Sequence, residues 1–368
     1  MRIDTLTLDG FRNYRHETFA FDARCNLICG ENAQGKTNLL ESIVYLCCGQ
    51  SPRTRSEKEL IGFSEQSARI TAHSLRRERE FETEIVLTRG MRRRLRINGV
   101  AVKKAADLSA VLNCVYFCPE DLLLIRAGAS VRRRFMDTAL TQLRPRYGEA
   151  LAEYQRLQEH KTKILREAEE HPHFLTVLPE FEEAMVRYGA LLIYYRARFC
   201  RRLAEIAADM HADCSGGRER LEIRYCTVSG IGDPFAPVDT LREELWAHLQ
   251  AHRSAERAVR QCLSGPHKDD LEVLLNGNSA KQFGSQGQTR TAALALKLAE
   301  RELYQNAIGE YPLLLLDDVL SELDPRRQEF VLNRIQGGQV FISCCEEETP
   351  ERLLGGKLLS IAEGRLQA

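Results

Sequence analysis

Apolar and polar residues alternate along the first thirty positions, and the stretches "IDTLTLDGF" and "ETFAFDARCNLIC" read as strands. A glycine-rich turn follows, and the spacing then predicts a helix over 36–48. From 67 to 102 come "ARITAHSL", "FETEIVLT" and "RRLRINGVAV", punctuated by "RG" and "NG", which mark hairpin turns in a β-rich lobe. The texture changes after "VLNCVYFCPEDL". Residues 130–170 and 177–212 are charged and helical, with "EEHPHFLT" as a break between them. Tyr147, Ala150, Tyr154, Leu157, Lys161, Ile164 and Ala168 step by threes and fours. So do Leu178, Phe181, Met185, Tyr188, Leu192, Tyr195, Phe199, Arg202 and Ile206. Two such seams predict an antiparallel helical hairpin, each arm reaching roughly 35–45 Å at the helical rise. A short strand (221–228) and a helix (239–263) lead back to strand–helix alternation. The apolar runs "PLLLLDDVL" and "QVFISCC" are the signature of strands buried on both faces. The expected architecture is an α/β head, 1–118 and 264–368, interrupted by a helical, coiled-coil-like arm, 119–263.

Composition narrows the function without fixing it. Apolar residues make up 43% of the 368 positions, charged ones 28%, and the formal net charge is zero, so there is ample material for a core. No run of about 18 apolar residues is present to span a membrane, and the first residues lack the order of a secretory signal; a cytoplasmic protein is expected. The twelve cysteines contain no C-x-x-C pair and fall mostly in apolar runs, which suits small buried residues in a reducing compartment. His248 and His252 are one helical turn apart, but no third metal ligand accompanies them. Of the 52 basic residues 42 are arginine. That bias fits phosphate contacts and equally fits a compositional preference of the genome.

The chemistry begins at "GENAQGKT". Gly30, Glu31, Asn32, Ala33, Gln34, Gly35, Lys36 and Thr37 match G-x-x-x-x-G-K-T, between the strand "CNLIC" and the helix "TNLLESIVYL". Backbone N–H groups of such a loop, extending to Asn38 at the helix start, cradle phosphate oxygens at a positive helix end. Lys36 reaches the β- and γ-phosphates of ATP, and the Thr37 hydroxyl holds Mg²⁺. A metal partner at the tip of a buried strand is required as well, and "LLLLDD" supplies Asp317. Asp318, the next residue, is placed to orient or deprotonate water.

"FGSQGQTRTAALALKLAE" (283–300) opens a long amphipathic helix with Ser285-Gln286-Gly287-Gln288. It resembles the signature sequence of ABC-type ATPases. That resemblance implies that Ser285, Gly287 and Gln288 meet the γ-phosphate of ATP held by an opposite subunit, and "SELD" (321–324) stands where those proteins cross the interface. With "GFRNY", "FCPEDLLLIRAGASVRRRFMD", "SGPHKDDLEVLLNG" and "LLLLDDVLSELD" in this order, the chain is similar to the RecF family of bacterial DNA-repair proteins. The resemblance implies an ATP-dependent homodimer with weak, DNA-stimulated ATPase activity, acting on double-stranded DNA and single-strand/double-strand junctions. It also implies work with RecR and RecO and, through them, with RecA. Arg12 and Asn13 of "GFRNY" correspond to a turn near the nucleotide in related ATPases. Two positions depart from the wider ABC pattern. Asp318 stands where many have glutamate, which implies slow turnover, and Ser343-Cys344-Cys345 stands where a switch histidine is usual. Ser343 can serve as a hydroxyl donor there, and Glu120 of "CPEDL" falls at the glutamine-loop position. His267 is either a switch near the nucleotide or a residue orienting its own loop.

DNA contacts are expected from basic clusters: Arg92, Arg93, Arg94 and Arg96 on a hairpin, and Arg132 in "VRRRF". Most charge runs are solvated faces, and Arg133 and Arg134 have a junction role as an alternative. An SMC-like structural tether is the rival reading, disfavoured by arms of roughly three to four heptads.

Overall fold

The computed structural model describes residues 1–344 and 355–367, in two compact units, Met1–Leu122 with Lys297–Ala368, and Leu123–Leu296. The first unit is built on two six-stranded sheets. One is antiparallel, in the order Tyr14–Ala20, Arg2–Phe11, Ser67–Arg76, Arg79–Thr88, Arg94–Ile97, Val100–Val102. Its strands alternate buried and exposed positions, as one-face burial demands. Asn98 and Gly99, at φ 50° and 76°, make the tight turn that the "NG" dipeptide announces.

The other sheet runs Arg365–Leu366, Lys357–Ala362, Cys25–Cys29, Val340–Cys344, Leu313–Asp317, Cys114–Phe117. All its pairings are parallel except the last hairpin. Cys25–Cys29 and Leu313–Asp317 are buried at every residue, which is why their sequences read as unbroken apolar runs rather than alternations. The helix Lys36–Cys48 lies within a core joining both sheets: Ile3, Leu6 and Phe11 from one, Leu39, Leu40 and Ile43 from the helix, Leu313 and Phe341 from the other. Parallel strands carry their C-terminal ends to one edge of the sheet. Cys29, Asp317 and Ser343 are therefore neighbours in space although Cys29 lies hundreds of residues from the other two in sequence.

The second unit holds the helices Ala129–Leu143, Pro145–Glu167, Leu178–Ser215 and Val238–Val259, with the antiparallel strands Leu221–Cys226, Asp270–Leu275 and Asn278–Ser279. The second boundary lies at 296/297 rather than 264. Asp270–Leu275 pairs along its whole length with Leu221–Cys226, and buried Arg132 grips Asp270. The helix Gln286–Ile308 spans that boundary.

Tyr147, Ala150, Tyr154, Leu157 and Lys161 are buried along one helix, but the seam then moves to Leu165 instead of Ile164. On the long helix Leu203 and Ala207 are buried, whereas Arg202 is exposed. The cause is that this helix is covered on more than one side. Val186, Ala190 and Ile193 pack with Leu241, Leu245 and Leu249 of the helix Val238–Val259, a layer that a simple hairpin lacks. Its 38 residues run to about 57 Å. Lys161, 1% exposed, sits between Glu256 at 2.5 Å and Glu182 at 3.2 Å, so its charge is neutralised inside the unit.

Candidate nucleotide site

The phosphate loop connects the buried strand Cys25–Cys29 to the helix starting at Lys36. Gly30 has φ 149° and Gly35 φ 123°. A Cβ on Gly30 would lie 2.3 Å from the Ile361 carbonyl, and one on Gly35 2.7 Å from the Asn13 amide, so both positions demand glycine. Around the loop, Tyr14 donates its hydroxyl to the Gly35 carbonyl at 2.9 Å, and Asn13 donates to the Gln34 carbonyl at 2.9 Å. Gln34 also receives the backbone N–H groups of Glu363 and Gly364 from the last hairpin. The last hairpin was not legible as a site element, because nothing near it in sequence carries phosphate chemistry, and in "GFRNY" the sequence pointed to Arg12 and Asn13 rather than to Tyr14. Asn38 donates to Asn13 at 2.8 Å. Arg12 pairs with the helix that follows the loop. Its guanidinium makes a two-pronged pair with fully buried Glu41 of the loop's helix, at 2.9 and 2.8 Å, and braces that helix.

Lys36 is 4% exposed, and its ammonium donates to the carbonyls of Gly30 at 2.6 Å and Glu31 at 3.1 Å. Thr37 donates its hydroxyl to Asp317 Oδ1 at 3.0 Å. Ser343 donates to the same oxygen at 2.8 Å, and Tyr116 donates to Oδ2 at 2.7 Å. Three hydroxyls from three chain segments thus converge on one carboxylate. Burial, then the charge of Asp317, pushes the Tyr116 phenol far up, which keeps it a donor. Tyr116 escaped the sequence reading; its only signal is an aromatic with a polar tip near the end of a buried strand, "CVYF".

Asp318 adopts φ 51°, a left-handed conformation, and its N–H donates to Ser343 Oγ at 2.9 Å. Ser343 therefore accepts from one carboxylate residue's backbone while donating to the other's side chain. Asp318 Oδ1 is buried and without a hydrogen-bond partner. Burial raises the Asp318 carboxyl above its ordinary value; nearby Lys36 pulls it down and Asp317 adds to the rise. A carboxylate with an unspent acceptor and raised basicity beside a phosphate loop suits proton acceptance. The hard oxygen donors of Thr37 and Asp317, beside Lys36, fit a magnesium nucleotide. Of the last switch positions, Cys345 lies outside the described residues. Glu120 is exposed in the short helix Pro119–Leu123, just after the strand that pairs with Leu313–Asp317.

In the second unit, Ser285 and Gln288 form a reciprocal helix cap. Gln288 N–H donates to Ser285 Oγ at 3.2 Å, and Ser285 N–H donates to Gln288 Oε1 at 2.8 Å. Gly287 lies within this turn, whose Ser285 is exposed. His267 takes the loop-orienting role. Its Nε2–H donates to the Cys262 carbonyl at 2.9 Å, so Nδ1 accepts the Tyr154 hydroxyl at 2.7 Å. Burial brings its pKa down to about 4. His248 and His252 stack at 4.0 Å, with His248 bonded to Ser264.

The basic clusters divide. Arg92 and Arg94 are exposed, and exposed Arg96 reaches Glu84 at 3.4 Å. Arg93 turns inward to Glu57 at 2.7 Å, the Tyr45 hydroxyl and the Gly49 carbonyl. Arg132, 4% exposed, is not a surface contact: Asp270 and the carbonyls of Leu124, Ile125 and Ala127 take its guanidinium. Arg133 donates to the Asp269 carbonyl. Sequence proximity grouped residues that the hairpin and the helix point in different directions.

The parallel sheet, phosphate loop and paired strand-end carboxylates define an ATPase head of the ABC type. The RecF/RecN/SMC N-terminal domain model matches residues 2–363. A DNA replication and repair protein RecF of Clostridium kluyveri is 36% identical, aligned over 94% of this chain and 93% of that one. The protein of the same name in Symbiobacterium thermophilum is 40% identical over 95% and 92%. The chain belongs to the RecF family of DNA replication and repair proteins. Among solved structures, a recombination mediator RecF with ATPrS, described as part of the RecFOR pathway, superposes with a TM-score of 0.92 at 30% identity, covering 100% of this chain and 97% of that one. An SMC head domain from Pyrococcus furiosus shares the fold at a TM-score of 0.56 and 15% identity, over 99% and 95% of the two chains. Among the described residues no helix is long and apolar enough to cross a membrane.

Proposed function

We propose that this chain is an ATP-operated DNA clamp of RecF type, cytoplasmic, in which hydrolysis releases the clamp rather than drives movement. The observation that carries the reading is the carboxylate pair: Asp317 gathers the hydroxyls of Thr37, Ser343 and Tyr116, while Asp318 beside it keeps a buried oxygen without a partner. Gly30 to Asn38 would hold the phosphates, with Lys36 as their counter-charge, and Thr37 and Asp317 would hold Mg²⁺, which would neutralise phosphate charge when bound. Asp318 takes the proton of the attacking water. Its short side chain and left-handed backbone leave little freedom to follow the reaction, consistent with slow turnover.

The signature turn, Ser285, Gly287 and Gln288, reads the γ-phosphate held by a second copy, so ATP joins two heads. The joined heads bind duplex DNA and single-strand/double-strand junctions through Arg92, Arg94 and Arg96, and work with RecO and RecR to place RecA. Loss of the γ-phosphate removes what both copies contact, and the clamp opens.

The test is duplex-DNA binding with ATP, ADP or no nucleotide, with molar mass read by light scattering on the same samples. ATP-only binding with doubled mass is the expected result. Nucleotide-blind binding by a monomer refutes the clamp and favours a tether of SMC type. In the same assay Ser285→Arg keeps ATP binding and loses the dimer.

A further inference from the structure

The long helix Leu178–Ser215 ends in a hydrogen-bonded reversal. Gly216 is left-handed, and Gly217 N–H donates to the Ala212 carbonyl at 2.8 Å. The reversal folds the next residues back over the final turns of the helix. Glu219 then meets fully buried His211 of that helix: Oε2 lies 3.1 Å from His211 Nε2. Its other oxygen, Oε1, accepts from Gln288 Nε2 at 2.9 Å. The glutamate is thus bonded to the arm helix on one side and to the signature turn on the other.

The amide of Gln288 has two ends of opposite character. Oε1 must accept from the Ser285 N–H, which leaves Nε2 to find an acceptor. A flipped amide would set two donors face to face at Ser285 and open the cap. Glu219 is acceptor-only when ionised, so it selects the one orientation that keeps the cap closed. We propose that Glu219 is a positioning residue for the signature turn, fixing the Gln288 amide and through it the Ser285 backbone and hydroxyl. This inference rests on the ATP-joined dimer described above, and it ties the competence of the signature turn to the end of the arm helix. Lysine at 219 presents donors only and turns the amide; glutamine retains an acceptor oxygen and preserves it.

The experiment compares full-length Glu219→Lys and Glu219→Gln with the unmodified chain. Three quantities are read: hydrogen exchange at the Ser285 amide, monomer affinity for a fluorescent ATP analogue, and the ATP-dependent dimerisation constant. Leaving the Ser285 amide and the Gln288 amide mismatched is expected to raise Ser285 exchange and weaken dimerisation by about tenfold in Glu219→Lys. ATP-analogue affinity stays within about twofold, since the phosphate loop is untouched, and Glu219→Gln stays within about threefold of the original in all three. If Glu219→Lys does not fold, Glu219→Leu, which removes the acceptor without adding charge, takes its place with the same expectation for Ser285 exchange. Unchanged Ser285 exchange in the folded variant, or equal losses in the Lys and Gln variants, overturns the proposal. If the unmodified chain forms no ATP-dependent dimer, the clamp reading fails, and Ser285 exchange alone still decides the role of Glu219.

Discussion

Lys161→Met removes a charge from the interior of the helical unit while keeping the length of the side chain. Lys161, Glu182 and Glu256 are each 1% exposed. Breaking a buried ion pair from one side generally costs about 3–5 kcal/mol, because the remaining charge is stranded. Here both carboxylates keep some support. Glu182 retains Arg253, and its contact with Lys161 is ionic without hydrogen-bond geometry. Glu256 retains the N–H groups of Leu263 at 2.7 Å and Ser264 at 3.2 Å. The loss therefore belongs at the lower end, about 3 kcal/mol. Adding Glu256→Gln to Lys161→Met removes the stranded charge but keeps an oxygen for those two amides, and restores roughly half of the loss. Trp246, the chain's single tryptophan, lies on the helix Val238–Val259 in this same unit, so urea unfolding followed by its fluorescence reports the unit concerned. A loss below about 1 kcal/mol, or no recovery in the double variant, refutes the account of a buried lysine bridging two carboxylates.

Asp318→Asn is expected to keep ATP-dependent dimerisation while lowering the single-turnover hydrolysis rate by about 10²–10⁴-fold, and an unaltered rate removes Asp318 as the proton acceptor. The unmodified enzyme's rate declines with acidity at a pH above the ordinary aspartate value, because burial raises the Asp318 carboxyl and its proton acceptance requires the ionised form. His267 is neutral in the folded chain down to about pH 4, whereas it takes up a proton near 6.5 once unfolded. Stability of the helical unit therefore falls as pH drops from 6.5 toward 4, by up to about 3 kcal/mol, and His267→Gln flattens that part of the profile measured by Trp246 fluorescence. Arg92→Glu with Arg94→Glu weakens duplex binding regardless of sequence and reduces the salt slope by about one per lost phosphate contact. Arg132→Ala instead lowers the urea midpoint, since it leaves Asp270 half-buried without its partner.

Much of the site was legible because phosphate chemistry leaves local marks. A glycine loop followed by lysine and threonine must be contiguous for its N–H groups to converge, so Gly30 to Thr37 stand together in sequence. The apolar run before Asp317 announces a strand buried on both faces, and its end is where a metal-holding carboxylate belongs. The Ser285–Gln288 cap is likewise a four-residue pattern. Hairpins followed their turn dipeptides where glycine was present, as at Asn98-Gly99. The turn at Arg77 and Glu78, at φ 48° and 64°, had no such signal.

What sequence could not supply was direction and distance between separated segments. Runs of adjacent arginines placed Arg93 and Arg132 in basic clusters, but which way each side chain points depends on Glu57 and Asp270, from other elements. Arg12, expected in a turn near the nucleotide, has its guanidinium fixed by Glu41 of the loop's helix, a partner 29 residues away that the local motif does not name. The arm seam drifted to Leu203 and Ala207 because a period of three and four records that one face is apolar, not how many neighbours cover the helix. Tyr116 on Asp317, Tyr14 on Gly35 and Glu219 on Gln288 are long-range hydrogen bonds between polar groups in otherwise ordinary contexts. Local chemistry was written in the chain because it needs adjacent atoms. The partners that fix its protons, charges and orientations were decided only when the strands and helices packed, since burial is what makes each of those groups find the other.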